Sequence, residues 1–384
     1  MSELPMIHYA RIISCYTADT SGVCSALYEL GGMVVVHDAS GCNSTYATHD
    51  EPRWYDMDSM IYVSALTEID AVMGNDERFI NDVCRSAEKL GPKFIAICGS
   101  PMPAMTGTDF DALASVIQSR CGIPTHPMHT NGMKSYVSGA SEAFEMLARC
   151  YCGSTGNVKN AVNILGATPL DLSRQEIVDS IWAWLKKCGF EKGCCMAMGS
   201  SLDDYKTAGD ARCNLVVSSS GLRAAKVLQE RFGTPYVVGL PLGEEFAVAL
   251  GEDIHRAVEG KTEIVSCALR GEICADCKTV VVGESVYAGS LARGIMMHTG
   301  KPVRVIHTLD AGGELIAGGD RKITDEDKLE EEFAKCSCVI ADPLFKPIAP
   351  ANAKFVPIPH EAFSGRCFRK NIPDLVDKKL GLEL

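Results

Sequence analysis

The chain has 384 residues, and its 37 Lys+Arg against 49 Asp+Glu give a net charge of −12. Phosphate recognition needs clustered positive charge, so this balance argues against a nucleic-acid or anionic-membrane binder. With 46% hydrophobic and 22% charged residues the composition is that of a globular protein rather than a disordered one.

At about 150 residues per domain the length allows two to three domains. The opening Met-Ser-Glu-Leu-Pro lacks a basic segment followed by an apolar one, and no apolar run reaches the ~18 residues of a membrane span, so a cytoplasmic protein is expected. In that reducing compartment the 18 cysteines are not a disulfide framework. Most are expected to be small buried hydrophobes, with a minority left as metal or cluster ligands.

Short β-branched runs alternate with amphipathic stretches, the pattern of parallel sheets covered by helices. The first set predicts strands at 33–37, 61–64 and 93–98, helices over 77–90 and 109–119, an extended segment at 123–126 and a closing helix over 141–150. After the Gly/Ser/Thr/Asn linker 153–157 the pattern restarts with a strand at 161–166, a helix over 174–187, a strand at 214–217, a helix over 221–232 and a strand at 235–238. A third restart follows Cys277, with strands at 279–283, 303–306 and 338–341 and an acidic helix over 325–334. The reading is an α/β chain of three consecutive Rossmann-like domains with mostly parallel sheets, over 1–155, 156–277 and 278–384.

The most informative stretch runs from Cys15 to Cys42. Cys15 precedes Thr20-Ser21-Gly22, which offers hydroxyls for a helix start, and Gly41-Cys42 sits just past a strand. The carboxyl end of a parallel strand is where open α/β sheets place ligands, and a glycine there lets the backbone approach a bulky group. Cys274 and Cys277 form a CxxC without a second CxxC at zinc-ribbon spacing, and they read as incidental thiols ahead of a strand. Cys194-Cys195 and Cys336-x-Cys338 are expected at strand starts. Gly283 to Gly289 resembles a dinucleotide loop only loosely, because Glu284 would oppose a pyrophosphate there. No GxxxxGK[ST] loop occurs, so the chain is not expected to hydrolyse ATP itself.

Taken together, these segments resemble the nitrogenase component 1 superfamily. Cys15 with Ser21-Gly22-Val23 is similar to its first cluster cysteine and helix start, and His37-Asp38-Ala39-Ser40-Gly41-Cys42 to its His-Gly-x-x-Gly-Cys turn. Thr67-Glu68-Ile69-Asp70-Ala71-Val72-Met73-Gly74 is similar to its Thr-Glu-x-x-Ala-Val-Phe-Gly loop, and His129-Thr130 with Val137-Ser138-Gly139 to its β-type His-Thr segment. Asn163-Ile164-Leu165-Gly166 and Asn214-Leu215-Val216 match landmarks further on, so the resemblance covers nearly the whole chain.

The resemblance implies paired subunits, a homodimer or a heterodimer with a sister chain, sharing an iron–sulfur cluster held by thiolates from both. It implies electrons delivered by a separate ATP-dependent iron protein to a reducible small-molecule or tetrapyrrole substrate, or to a second metallocofactor. The metal ligands it implies are Cys15 and Cys42. The family's third cluster cysteine falls on Pro101 here. Either Cys98, three residues upstream, replaces it, or each subunit supplies Cys15 and Cys42 alone, enough for one shared [4Fe–4S] cluster.

The family's large cofactor is held by one cysteine and one histidine, and Ser218 stands at the cysteine position while His360, in Pro359-His360-Glu361-Ala362-Phe363-Ser364-Gly365, resembles the histidine. Gly41, Glu68, Ser218 and His360 are therefore the expected cofactor-binding residues. The family's arginine eight positions after Gly-Cys is Asp50 here. Tyr46, His49 and Arg53 remain as catalytic residues that position substrate or donate protons, His49 near neutral pH. Three roles stay open: catalytic component of a two-component reductase, metallocluster assembly scaffold, or non-catalytic partner subunit.

Overall fold

The computed structural model describes residues 10–14, 18–39, 51–274 and 276–382. The first unit contains α1 (Asp19–Leu27), β1 (Met33–His37), β2 (Met60–Val63), α2 (Glu68–Met73), α3 (Asp76–Leu90), β3 (Ile95–Gly99), α4 (Pro101–Thr106), α5 (Phe110–Cys121), β4 (Thr125–Met128) and α6 (Tyr136–Cys150). The second has β5 (Lys159–Leu165), α7 (Pro169–Leu172), α8 (Gln175–Lys187), β6 (Glu191–Cys195), α9 (Leu202–Tyr205), β7 (Ala211–Val216), α10 (Leu222–Phe232), β8 (Tyr236–Val238) and α11 (Glu244–Gly260). The third has β9 (Thr279–Gly283), α12 (Ser285–Thr299), β10 (Arg304–His307), β11 (Arg321–Lys322), α13 (Glu326–Phe333), β12 (Cys338–Ala341), β13 (Lys354–Pro357) and α14 (Glu361–Ser364).

Each unit builds one parallel sheet, in the orders β2-β1-β3-β4, β6-β5-β7-β8 and β11-β10-β9-β12-β13. The central strands are buried on both faces, which is why they read as near-continuous apolar runs rather than alternating ones; β1, for instance, is Met-Val-Val-Val-His with all five residues buried. In each sheet the chain goes outward from one strand and returns beside it, creating a switch point between β1 and β3, β5 and β7, and β9 and β12. Open α/β sheets take ligands outside the carboxyl ends at such points. The three switch points place Asp38 and Ser100, Gly166 and Ser218, and Glu284 and Asp342 at the strand ends.

One apolar cluster runs through all three units, joining Val34, Cys98 and Phe144 of the first to Val216 and Leu228 of the second and Val282 and Phe333 of the third. A separate layer under α3 and α5, with Phe79, Ile80, Val83, Leu113 and Ile117, covers the other face of the first sheet. Helices α1 and α6 cross almost in backbone contact: a Cβ on Gly139 would lie 1.9 Å from the Asp19 carbonyl oxygen, and one on Gly22 equally close to that of Tyr136.

The structure corrects several sequence readings. Helix α6 starts at Tyr136 rather than 141, because Val137, Gly139 and Ala140 form its small-residue contact with α1. Helix α1 starts at Asp19 behind Ala18, with no side-chain cap from Thr20 or Ser21. Cys194 and Cys195 end β6 instead of starting a strand, since β6 opens on the polar Glu191-Lys192. Gly289 lies inside α12 rather than closing a turn.

Candidate functional site

The carboxyl end of the first sheet is tied into a collar. Ser64, just past β2, places its Oγ 2.9 Å from His37 Nδ1 and accepts the Asp38 N–H at 3.2 Å, while Ser100, just past β3, donates to Asp38 Oδ1 at 2.7 Å. Gly41, Cys42, Tyr46 and His49 follow Asp38 in the sequence and, with Cys15, lie outside the described residues. On the other side, Asp19 receives the N–H groups of Asn131 at 2.9 Å and Gly132 at 2.7 Å, which fixes the start of α1 directly after residues 15–17. Burial raises the Asp19 carboxyl above its ordinary range despite these donors.

Cys98 pairs in register with Val36 and is fully buried under α1. Desolvation, then the nearby Cys24 thiol, pushes its own thiol far up. A thiolate shared across a subunit boundary needs an accessible sulfur, and this one is sealed. Arg53 braces the fold: its guanidinium donates to Glu51 at 2.7 Å, Glu29 at 3.2 Å, the Ser25 carbonyl at 2.8 Å and the Ala197 carbonyl at 2.9 Å. Glu68 is exposed on the first turn of α2, whose capping box is made by Thr67 and Asp70.

Ser218 and His360 both lie beside Asp171, in a buried polar junction to which all three units contribute. Tyr136, the first residue of α6, donates its phenol to Asp171 Oδ1 at 2.6 Å, and Thr168 donates to Oδ2 at 3.2 Å. Ser218 caps the turn into α10, its Oγ accepting the Ser220 N–H at 3.2 Å. Glu284 spans the second and third units, taking the Ser219 N–H at 2.9 Å and the Tyr287 N–H at 2.8 Å. Asp342 holds the His360 N–H at 2.7 Å. Desolvation, then the Glu284 charge, pushes Asp171 up to about 7 against the hydrogen bonds from Tyr136, Ser218 and Thr168. Burial pushes His360 down to about 4, so its ring is neutral at pH 7.

The junction does not fit a metallocofactor. His360 Nδ1 accepts the Ala362 N–H at 3.3 Å, so the neutral ring carries its proton on Nε2, the atom that has no hydrogen-bond partner and lies 3.7 Å from Asp171 Oδ1. A protonated Nε2 is a donor, and a metal there would have to break the helix cap or strip the last ring proton. The cavity beside it, lined by Tyr287, Asp342, His360 and Phe363, measures about 10 Å³, room for at most one water. Among the described residues no three His, Cys, Asp or Glu side chains are grouped to hold a metal ion.

Space for a ligand lies in front of the junction. A cleft of about 350 Å³ separates the first and third units, lined by Ser14, Ala18, Met133–Ser135, Thr308, Phe345 and Phe363 among others. Ser14 and Ala18 are the described residues on either side of 15–17 in the sequence. Phe363 forms its back wall and packs on His360, with ring centroids 5.2 Å apart. Ser135 of the wall donates to Asp310 at 2.6 Å, and Thr308 Oγ1 is buried there without a partner. The residues that reading the sequence missed are Tyr136 and Asp171, which come from different units. The Thr168-Pro169 helix start was the one local signal for Asp171.

The family described as nitrogenase component 1 type oxidoreductase matches over residues 20–272. A nitrogenase iron-molybdenum cofactor biosynthesis protein NifE from Rhizobium meliloti (strain 1021) is 25% identical over 285 residues, covering 70% of this chain and 58% of that protein. A light-independent protochlorophyllide reductase chain of Pinus thunbergii is 24% identical over 258 residues, covering 57% and 50%. The chain thus spans about half the length of these relatives. The solved structure "Nitrogenase Cp1 at pH 6.5" superposes with a TM-score of 0.66 at 14% identity, over 98% of this chain and 92% of that one, which shows a shared fold.

Proposed function

The chain belongs to the nitrogenase component 1 type oxidoreductases, and on that premise we propose that it is the iron–sulfur component of a two-component reductase. A [4Fe–4S] cluster ligated by Cys15 and Cys42 from each of two subunits, when bound, supplies one-electron storage filled by a separate ATP-dependent iron protein. The observation that supports this reading is the cleft of about 350 Å³ lined by Ser14 and Ala18, a substrate-sized space whose lining includes the described residues that precede and follow 15–17 in the sequence.

The chain's own residues have separable tasks. Ser64 and Ser100 fix Asp38, which precedes Cys42 in the sequence, and Asp19 fixes the start of α1, which follows Cys15 in the sequence. Phe363 keeps cleft water away from His360. Tyr136 and Asp171 hold a proton directly behind the wall residue Ser135, where a substrate gaining electrons would need one. The reducible substrate proposed is a small organic molecule bound in the cleft.

The scaffold reading draws on the likeness to the NifE proteins, whose name assigns them to cofactor biosynthesis. One preparation distinguishes the readings: anaerobic protein, co-expressed with cluster-assembly machinery and any sister subunit, assayed for iron and acid-labile sulfide. About two irons per chain are expected from one shared cluster, lost in Cys15→Ala and Cys42→Ala and kept in Cys274→Ala. Full iron content in the first two variants would overturn the ligand assignment. Iron that leaves with an acceptor protein, without reduction of any substrate by the iron protein, would favour the scaffold.

A further inference from the structure

The outer face of the first unit carries a second sulfur site, remote from the cleft. Cys84 on α3 and Cys121, the last residue of α5, have their Sγ atoms 3.6 Å apart, and both are half-buried at the surface. Among the described residues this is the one pair of cysteine sulfurs in mutual contact.

The register of this seam is fixed from beside the thiols. Glu77, Asn81 and Cys84 follow one another at spacings of four and three and so share one face of α3. Arg120, next to Cys121, forks onto Glu77 at 2.7 and 2.9 Å and reaches Asn81 at 3.2 Å. A bidentate pair of this kind sets orientation as well as distance. The Cys121 thiol also donates to the Ile117 carbonyl at 2.8 Å, which points it along the seam.

We propose that Cys84 and Cys121 are a thiol–disulfide exchange site, oxidised to an intrachain bridge between α3 and α5 by a low-molecular-weight disulfide such as glutathione disulfide. One cysteine thiolate attacks a sulfur of the oxidant, whose S–S bond breaks to release one thiol. The second cysteine thiolate then attacks the protein sulfur of the mixed disulfide and releases the other thiol. The pair loses two electrons and two protons, and the oxidant becomes two thiols.

The sulfurs must close from 3.6 Å to the ~2.05 Å of a disulfide. Cys121 supplies that movement, since it ends its helix and is followed by Gly122 at φ +68°, where the chain turns away. Desolvation, then the hydrogen bond with Cys121, pushes the Cys84 thiol up to about 11, which keeps reduced Cys84 protonated and slow to react until oxidant is in excess.

The test uses the folded, reduced full chain incubated with excess glutathione disulfide at pH 8, quenched with N-ethylmaleimide and digested with trypsin without reduction. Peptide 79–85 joined to peptide 121–134, two hydrogens lighter than their sum, is expected to approach one per chain and to disappear with dithiothreitol. In Cys121→Ser, Cys84 should end as a stable glutathione adduct. Both cysteines recovered separately as maleimide or glutathione adducts in the wild type, or a bridge that forms only in urea, would overturn the assignment.

Discussion

Asp171 and His360 lie 3.7 Å apart in the buried junction, and their perturbed ionisations oppose one another in a way that mutation can separate. Asp171 is raised from 3.8 to about 7, so between those values the folded state holds a proton that the unfolded chain has lost. Its contribution is full below pH 3.8 and falls as pH rises through 7. From pH 5.5 to 8.0 linkage gives a loss of about 2 kcal/mol. His360 is lowered from 6.5 to about 4, so below 6.5 the unfolded chain binds a proton that the folded one refuses. Its contribution grows by about 1.4 kcal/mol over the same interval. The two slopes nearly cancel in the wild type. Asp171→Asn should change the pH 8.0 minus pH 5.5 difference in unfolding free energy by about +2 kcal/mol relative to wild type, and His360→Asn by about −1.4. Asparagine can still cap α14 through its side-chain oxygen, so the second variant keeps the helix start. Urea unfolding at the two pH values, followed by the fluorescence of Trp182 and Trp184 on α8, reads the unit that contains Asp171. Parallel pH dependence in all three proteins, within about 0.5 kcal/mol, would refute the assigned ionisation states.

Two further expectations concern the frame around the cysteine segments. Arg53→Met leaves the carboxylates of Glu29 and Glu51 without their buried cation and should cost about 3–5 kcal/mol, seen as a fall in the urea midpoint, with Arg53→Lys recovering only part because it cannot fork; an unchanged midpoint in the methionine variant would contradict the bracing role. Gly139→Ala forces a Cβ to within 1.9 Å of the Asp19 carbonyl oxygen, which neither helix can yield without separating, so α1 and α6 should lose packing and the thermal midpoint should drop by several degrees; full stability would mean that the crossing is looser than it stands.

Where a strand is buried on both faces, its β-branched run is visible without knowing its neighbours, and the limits of β1, β9 and β12 agree with the sequence reading. Helix α11 is absent from that reading, although Phe246, Leu250, Ile254 and Ala257 follow a helical spacing and are all buried. Its acidic first turn and its position after a proline-containing strand end mask the pattern. The junction was half legible. Ser218 and His360 could be found by motif order, whereas Tyr136 and Asp171 are 35 residues apart in different units and meet only because α6 packs on α10 and on the turn that precedes it. What each residue does was not legible at all, because it depends on burial. Cys98, a ligand candidate by its place in the sequence, is a fully buried thiol under α1 whose pKa burial pushes far up.

The position equivalent to a metal site by motif order has become, in this chain, a place that holds protons. A serine hydroxyl accepts from its own turn where a thiolate would be needed, and the His360 cap keeps the proton on Nε2. The adjoining void admits one water at most, and burial together with the nearby Glu284 charge raises Asp171 to about 7, so that it keeps its proton through mildly acidic pH. These features reinforce one another: a metal would need the cap broken, the serine replaced and the three units moved apart. Replacing Ser218 by cysteine alone therefore should not create a metal site. The Ser218→Cys protein should purify with the same metal content as the wild type, and its new thiol should resist alkylation until the chain is unfolded. Stoichiometric additional metal in that variant would show that the three units part readily enough to admit a cofactor, and would move the substrate site from the cleft into the junction.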